Sequence, residues 1–235
     1  MNTDPRPKKN IDNLSRHTES LEGSWAFALD ADDRGISEAW WGRSLSDTIR
    51  LPGSLQEKGF GDEPGPDTQW TGSIFDRSWH RDDRYARYRQ PGQIKIPFWL
   101  QPKRHYIGVA WYQRTITIPE SWRNRLTSVY LERCHWITQA WLDDRELGSR
   151  DSLATPHTYD FGQLEPGTYR LTIRCDNRIH IDVGPNAHSV SDHIQTNWNG
   201  IIGKLELQSR SLLHIASIQS YPDTNKGECR LPRYG

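Results

Sequence analysis

Two stretches of the chain alternate apolar and polar side chains with a period of two. Ile116 and Ile118 share one side of the first stretch, Thr115 and Thr117 share the other, and residues 169–175 repeat the pattern. Successive side chains of a β-strand point to opposite faces, whereas a helix buries every third or fourth residue. The alternation therefore predicts strands with one buried face, and no stretch of comparable length has helical periodicity.

Turn signals separate the predicted strands at short intervals. Asp143-Asp144-Arg145-Glu146 follows one alternating run directly, and Leu164-Glu165-Pro166-Gly167 precedes another. Many short strands punctuated by Gly, Pro and Asp are typical of sandwiches and jelly rolls. We therefore predict an all-β fold, a jelly-roll β-sandwich, with an aromatic core drawn from the 11 Trp and 9 Tyr. Four tryptophans on predicted strands are expected in that core: Trp25, Trp111, Trp136 and Trp141.

The balance of charge argues against two classes of partner. Lys and Arg together number 30, as do Asp and Glu, so the formal net charge is zero. An even balance provides no long-range field to attract nucleic acid or an anionic membrane. The Arg-Tyr run of residues 84–89 could stack on bases, but Asp82 and Asp83 precede it. A solvated loop packed by its tyrosines explains this run better, and we expect neither nucleic-acid nor membrane binding.

The cysteines and the first residues bear on the cellular compartment. Cys134, Cys175 and Cys229 lack the spacing of metal or redox motifs. Cys134 and Cys175 could form a disulfide or remain two buried thiols. Residues 1–20 are polar, lack the apolar stretch of a signal peptide, and are expected to form a disordered arm. Cytoplasmic residence is expected if Met1 is the natural start.

A long segment rich in Gly, Pro and Asp, residues 59–90, interrupts the predicted strands, and we call it the insertion. Loops of this length are usually functional or disordered. The segment holds five large aromatic residues, too many for a disordered tether, so we expect it to pack on the domain. They are Trp70, Phe75, Trp79, Tyr85 and Tyr88.

Six motifs follow one another in a fixed order over residues 21–208. They are Leu21-x-Gly23-x-Trp25-x-Phe27, Leu51-Pro52-Gly53-Ser54, Trp111-Tyr112-x-Arg114, Trp136 with Ala140-Trp141-Leu142, Gly167-Thr168-Tyr169 with Asp176-Asn177, and Asn197-Trp198-Asn199-Gly200-Ile201. The series resembles the landmarks of the amino-terminal domain of family 2 glycoside hydrolases, the β-galactosidase and β-glucuronidase group. Each motif alone is weak, but six in register are specific.

The resemblance implies a division of the chain. Residues 21–208 would form a galactose-binding-like jelly roll, which family members follow with an immunoglobulin-like sandwich and a catalytic β/α barrel. Residues 209–235 are then expected to be the start of a truncated immunoglobulin-like domain, whose first strand residues 209–221 resemble. Both catalytic glutamates of the family lie on barrel strands and have no counterpart here. The resemblance therefore implies a domain that does not hydrolyse sugars by itself.

The resemblance also implies candidate substrate-binding residues. In the family, a loop just before the Gly-Ile landmark touches the sugar, and a second loop before the Trp-Tyr strand approaches the same place. By position, the six candidates are Asp192, His193, Gln195, Asn197, His105 and Tyr106. Residues 188–199 mix planar hydrogen-bonding groups with Trp198, which suits the hydroxyls and C–H faces of a sugar. The same residues could instead serve turns and domain contacts, because Asn and Asp cap turns.

Other catalytic chemistry has little support. Retaining glycosidases need two facing carboxyl groups about 5 Å apart, but Asp143 and Asp144 are adjacent in a turn, and Glu132 sits on a strand. His188 and His193 lack the helical spacing of a zinc hydrolase. We therefore assign no catalytic residue, no metal and no cofactor.

The function predicted is that of a sugar-binding, non-catalytic domain of a β-galactosidase-like family 2 glycosidase. Its partners would be a β-galactoside or β-glucuronide-like carbohydrate and a catalytic barrel, in the same or a separate polypeptide. A stand-alone carbohydrate-binding module and a structural interaction domain remain alternatives. Self-association into a homo-oligomer is compatible with the resemblance.

Overall fold

A computed structural model describes residues 16–72, 78–184, 187–195 and 197–230, with only the backbone described for residue 195. In chain order the strands are β1 (His17–Ser20), β2 (Gly23–Asp30), β3 (Asp47–Leu51), β4 (Gly53–Ser54), β5 (Val109–Ile118), β6 (Leu126–His135), β7 (Ile137–Leu142), β8 (Arg145–Arg150), β9 (His157–Gln163), β10 (Gly167–Asp176), β11 (Gly200–Arg210), β12 (Tyr221–Asp223) and β13 (Glu228–Arg230). The helices are α1 (Ser78–Arg81), α2 (Asp192–Gln195) and three short 3₁₀ turns, Trp40–Gly42, Asp83–Arg89 and Glu120–Trp122.

Two antiparallel sheets pack face to face as a sandwich. One has five strands in the order β1-β11-β6-β9, with β4 also paired to β11, and the other has six in the order β3-β2-β5-β10-β7-β8. In the six-stranded sheet, Ile173 of β10 lies opposite Tyr112 of β5 and Ala140 of β7. The predicted all-β jelly-roll class is confirmed.

The core between the sheets consists of the side chains that the period-two alternation places inward. Tyr112, Ile116 and Ile118 of β5 belong to it, as do Leu171 and Ile173 of β10. The four tryptophans expected in the interior are all buried, with exposures of 1% for Trp25, 0% for Trp111, 3% for Trp136 and 2% for Trp141.

Tryptophan side chains also cover the outer face of the six-stranded sheet. Trp111 and Trp141 lie with ring centroids 5.2 Å apart, and Trp41 stacks on Trp141 at 5.1 Å with an interplanar angle of 4°. The loop after β2 is tied over this face because Gln113 donates to the Trp40 carbonyl at 2.8 Å. Both faces of the sheet are therefore buried, which explains how a chain poor in aliphatic residues forms a large core.

One glycine is required where β4 joins the five-stranded sheet. Gly200 has φ +143°, and a Cβ on it would lie 2.5 Å from the Gly53 carbonyl oxygen. The backbones of β4 and β11 approach so closely at this point that no side chain fits between them. The Gly-Ile motif is thus explained by backbone packing.

The insertion packs on the domain, as its aromatic content predicted. Trp79, Ile96 and Phe98 form a small buried cluster, against which Trp70 and Tyr85 pack. The cluster contacts the sandwich, because the Trp70 ring meets the His105 ring edge-on at 4.9 Å. Of the five aromatic residues, Phe75 lies outside the described residues.

Three sequence-based expectations change at the domain edges. Residues 17–20, expected to be disordered, form β1, which pairs with the end of β11. Strand β11 continues to Arg210, beyond the domain boundary expected at residue 208, because β1 pairs with it as far as Ser209 and β6 as far as Arg210. The strand expected around Leu213 and Ile215 is absent from the described residues, and these two side chains are 79% and 67% exposed. An alternating pattern makes a strand only where a partner edge is present.

The structure also decides between a disulfide and two free thiols for Cys134 and Cys175. Cys134 and Cys175 are free, buried thiols, and Cys229 is a free, exposed one. Burial raises the pKa of the Cys175 thiol to about 12, so the group is held in its protonated form. Among the described residues, no helix is long and apolar enough to cross a membrane.

A buried polar chain links the two sheets. The Tyr159 hydroxyl of β9 and the Thr138 hydroxyl of β7 lie 2.6 Å apart, and Thr138 lies 2.6 Å from His157 Nδ1. His157 Nε2 donates to the Ser152 carbonyl at 2.8 Å. Burial lowers the pKa of His157 and so favours the neutral imidazole, whose Nδ1 then accepts from the Thr138 hydroxyl.

This geometry predicts a loss of stability in acid. The pKa of His157 is lower in the folded than in the unfolded chain, so the unfolded state takes up the proton first as the pH falls. The stabilisation that neutral His157 contributes is therefore complete only above the unfolded pKa of about 6.5. We expect the free energy of unfolding, measured by urea titration, to fall from about pH 8 to about pH 5.5. His157→Asn should reduce this fall, and His188→Asn, at an exposed position, should not. An unchanged pH dependence in His157→Asn would contradict the assignment.

Candidate functional site

The candidate site lies at the end of the sandwich where β5 and β11 begin and β6 and β10 end. Residue pairs across these strands fix the arrangement, since Asp176 lies opposite Val109 and Gly200 opposite His135. The segments that meet here are residues 101–108, residue 177, residues 187–195 and residues 197–199. The two loops implicated by the sequence are therefore neighbours in the fold.

Asn177 stands between these segments, fully buried. Its Oδ1 accepts from Gly108 N at 2.9 Å, and its Nδ2 donates to the Tyr106 carbonyl at 2.8 Å and to Asn197 Oδ1 at 3.0 Å. An amide is suited to this position because it is both donor and acceptor. One side chain thus connects the loop before β5 with the loop before β11.

Asn197 and Asn199 extend the network. Asn197 Nδ2 donates to the Asn177 carbonyl at 2.9 Å, and Asn199 Nδ2 donates to the Gly108 carbonyl at 2.9 Å. Asn199 N also donates to Gln56 Oε1 at 3.3 Å, which ties in the turn after β4. We call Asn177, Asn197 and Asn199 the asparagine hub. The hub provides hydrogen-bond partners for loop backbone groups that would otherwise be buried without them.

Asp192 joins the insertion to the loop before β11. It is 1% exposed. Its Oδ2 accepts from Thr71 N at 2.6 Å and lies 3.3 Å from His105 Nε2, while Oδ1 accepts from Asn197 N at 2.9 Å. Asp192 N donates in turn to the Thr71 carbonyl at 3.1 Å. Both carboxylate oxygens are occupied by these partners, so this side chain acts as a clamp between segments.

The remaining candidates separate into buried and accessible groups. Tyr106 is buried, its hydroxyl donates to the Val109 carbonyl at 2.6 Å, and burial raises its pKa. His193 is half-buried, with its ring 6.4 Å from that of Phe98. The side chain of Gln195 lies outside the described residues. Among the described side chains of the six candidates, that of His193 is accessible to solvent. Arg104, in the loop before β5, is also partly exposed.

Several members of this network are not recognisable from the sequence alone. Asn177 and Asn199 stand out there only as parts of motifs, and Thr71 and Gln56 belong to no motif. Their partners are up to 143 positions away in the chain, so no local pattern could reveal the pairing. The available signal was the position of Asn177, directly after a long alternating strand.

Within the described ranges, no group of three or more His, Cys, Asp or Glu side chains could hold a metal ion. The carboxylates considered from the sequence have structural partners: Asp143 Oδ1 accepts from Arg170 N at 2.8 Å, and Glu132 Oε2 accepts from Lys204 N at 2.8 Å.

Comparisons with known proteins agree with the fold and the motif series. No protein-family model matches the chain. A β-glucuronidase from Paenibacillus borealis is 25% identical over 172 residues, which are 72% of this chain and 22% of that protein. The human β-glucuronidase is 25% identical over 176 residues, 70% of this chain and 22% of that protein. The chain therefore spans about a fifth of the length of these relatives.

Solved structures give the same result for the fold. A Faecalibacterium prausnitzii β-glucuronidase superposes with a TM-score of 0.59 at 20% identity, covering 92% of this chain and 35% of that chain. An uncultured Clostridium β-glucuronidase gives 0.57 at 18% identity, covering 91% and 33%. These likenesses show the fold, a β-sandwich like one that forms part of each of those proteins. The chain is thus similar to part of several β-glucuronidases, consistent with the amino-terminal domain of family 2 glycoside hydrolases.

The hub predicts that one buried amide is critical to stability. Asn177→Asp keeps the shape of the side chain but removes both donated hydrogen bonds and places a carboxylate against two acceptors. We expect a loss of roughly 3 kcal/mol or more in the free energy of unfolding, measured by urea denaturation. The matched control is Asn225→Asp at an exposed position, which should change it by less than about 0.5 kcal/mol. Equal effects of the two substitutions would contradict the role of the hub.

Proposed function

We propose that the chain is the non-catalytic, sugar-facing domain of a β-glucuronidase-like family 2 glycosidase. Hydrolysis would be performed by a barrel, located in the same or a separate polypeptide. The observation that carries the proposal is the asparagine hub, which holds two otherwise irregular loops in one defined arrangement at the end of the sandwich.

The hub supports a positioning role. Loops that bind ligands need support from groups whose own hydrogen bonds are satisfied. Asp192 and Asn197 provide that support from within, and His193 follows Asp192 directly on α2. The α2 segment is therefore anchored on its buried side, while the half-buried His193 can face a ligand or a partner domain. We assign sugar contact to His193 and place Asp192, Asn197, His105 and Tyr106 beneath it.

The relatives support the choice of ligand. The chain's homologues are named β-glucuronidases, and one Ruminococcus gnavus β-glucuronidase structure similar to this chain has uronic isofagomine bound. Asp192, the carboxylate in the loop network, has both oxygens engaged, which supports a non-catalytic role. A β-glucuronide-like sugar is the ligand class we propose for the complete site.

The first test compares the purified chain with the same chain plus a barrel-bearing partner polypeptide. We expect no turnover of a chromogenic β-glucuronide or β-galactoside by the chain alone, and turnover of the glucuronide with the partner. His193→Ala should raise KM about tenfold with kcat little changed, because it removes a hydrogen bond to bound sugar. His188→Ala, at an exposed position in the same loop, is the control. Turnover by the chain alone would overturn the proposal.

An apolar strip favours a second function, docking to another domain or subunit. Leu213, Ile215 and Ile218 are 79%, 67% and 65% exposed and follow one another within six positions. They line a cavity of about 700 Å³ whose rim includes Arg16, and Arg16 donates to the Ile215 carbonyl at 3.3 Å. A contiguous exposed apolar surface usually marks an interaction site.

The strip predicts concentration-dependent association. In sedimentation experiments, the double variant Leu213→Ser, Ile215→Ser should remain monomeric at concentrations where the unmodified chain associates or binds a hydrophobic dye. The control is Ile179→Ser, which is exposed but lies outside the strip. If the double variant and the unmodified chain associate equally, the strip is not an interaction surface.

A further inference from the structure

A second cavity lies in and just after the insertion, and none of the three asparagines of the hub lines it. It measures about 580 Å³, within the usual range for small-ligand sites. The side chains that line it are mainly apolar and aromatic. They include Trp79, Tyr85, Tyr88, Ile94, Lys95 and Pro97. We call it the insertion pocket.

The walls of the insertion pocket are held in place by hydrogen bonds. Trp79 Nε1 donates to the Lys95 carbonyl at 2.7 Å, and Lys95 N donates to the Tyr88 carbonyl at 3.1 Å. Gln101 Oε1 accepts from Ile96 N at 3.1 Å, and Gln101 Nε2 donates to the Ile96 carbonyl at 2.7 Å. The backbone is therefore braced on two sides, and a ligand would meet a preformed wall.

Lys95 lines the pocket, and Arg87, outside the lining, lies against the ring of the lining residue Tyr88; among the described residues neither cation has a carboxylate partner. The Arg87 guanidinium carbon lies 4.5 Å from the centroid of the Tyr88 ring, and Lys95 Nζ lies 5.6 Å from the same centroid. Arg84, three positions earlier, pairs with Asp82 at 2.6 Å. No carboxylate of the described residues lies within 4.0 Å of Arg87 or Lys95. The aromatic wall therefore carries local positive charge in a chain whose net charge is zero.

The combination specifies the chemistry of a ligand. Aromatic and apolar walls bind the C–H face of a sugar ring, and a lysine or arginine at the rim binds a carboxylate. A uronic-acid residue has both features on one ring, whereas a neutral sugar has only the first. We propose that the insertion pocket binds a uronic-acid residue of an acidic glycan, with its ring against the apolar wall that includes Ile94 and Pro97 and its carboxylate on Lys95, near which Arg87 lies on the Tyr88 ring.

The test uses the full chain and two forms of one probe. We expect tri-galacturonic acid to bind saturably in calorimetric or NMR titrations, and its fully methyl-esterified form, which keeps the rings but loses the charges, to bind about tenfold more weakly. Added salt should weaken binding of the acid, because the cations lie at the surface. No binding of the acid at millimolar concentration, or equal binding of acid and ester, would overturn the proposal.

Single substitutions test whether the acid binds in the insertion pocket. Lys95→Gln should weaken the acid about tenfold, and Arg87→Gln should add to this loss. Lys204→Gln, which removes an exposed lysine from β11, should leave binding unchanged, and far-ultraviolet circular dichroism should show that all three variants fold alike. Binding that Lys95→Gln and Lys204→Gln affect equally would place the ligand elsewhere. The titration involves neither hydrolysis nor His193, so its outcome is independent of the function proposed above.

Discussion

The hydrogen bonds of Asn177 are the constraint on which the functional end of this domain depends. A sandwich satisfies its backbone groups strand by strand, but the loops at its ends have no such ladder. Here the loops before β5 and β11 are buried against one another, and three asparagine side chains take the place of the missing strand partners. Without these amides, loops of irregular backbone could not be buried away from water with their polar groups hydrogen-bonded. The arrangement of Asp192 and His193 follows from the hub.

Much of the fold could be predicted because the strands are amphipathic. β5 and β10 bury the side chains that their alternation indicated, since both lie at the centre of a sheet with neighbours on each side. The edges were predicted less well. Residues 17–20 carry no apolar pattern and form a strand only because the end of β11 offers them a partner. The apolar pattern around Leu213 and Ile215 finds no such partner among the described residues. Pairing is a non-local property, and local sequence does not report it.

The candidate site, like the fold, could be predicted from the sequence only in part. The resemblance to the glycoside hydrolases implied which two loops meet, and the structure brings them together. It could not indicate which side chains face outward, because Asp and Asn serve equally well as ligand-binding groups and as internal braces. Asp192 and Asn197 were candidates for sugar contact by position, yet their polar atoms are engaged inside the protein. That choice depends on Thr71 and Asn177, which lie 121 and 20 positions away.

Charge illustrates the difference between a property of the whole chain and a property of one place. A net charge of zero argues against a long-range field, and with it against a nucleic-acid interpretation of the Arg-Tyr run. The same average conceals how the charges are paired. Asp82 neutralises Arg84, while Arg87 and Lys95 remain beside Tyr88 at distances that a short-range, carboxylate-bearing ligand could use. Interactions at contact distance depend on these local pairings, so a neutral protein can still hold a selective site for an anion.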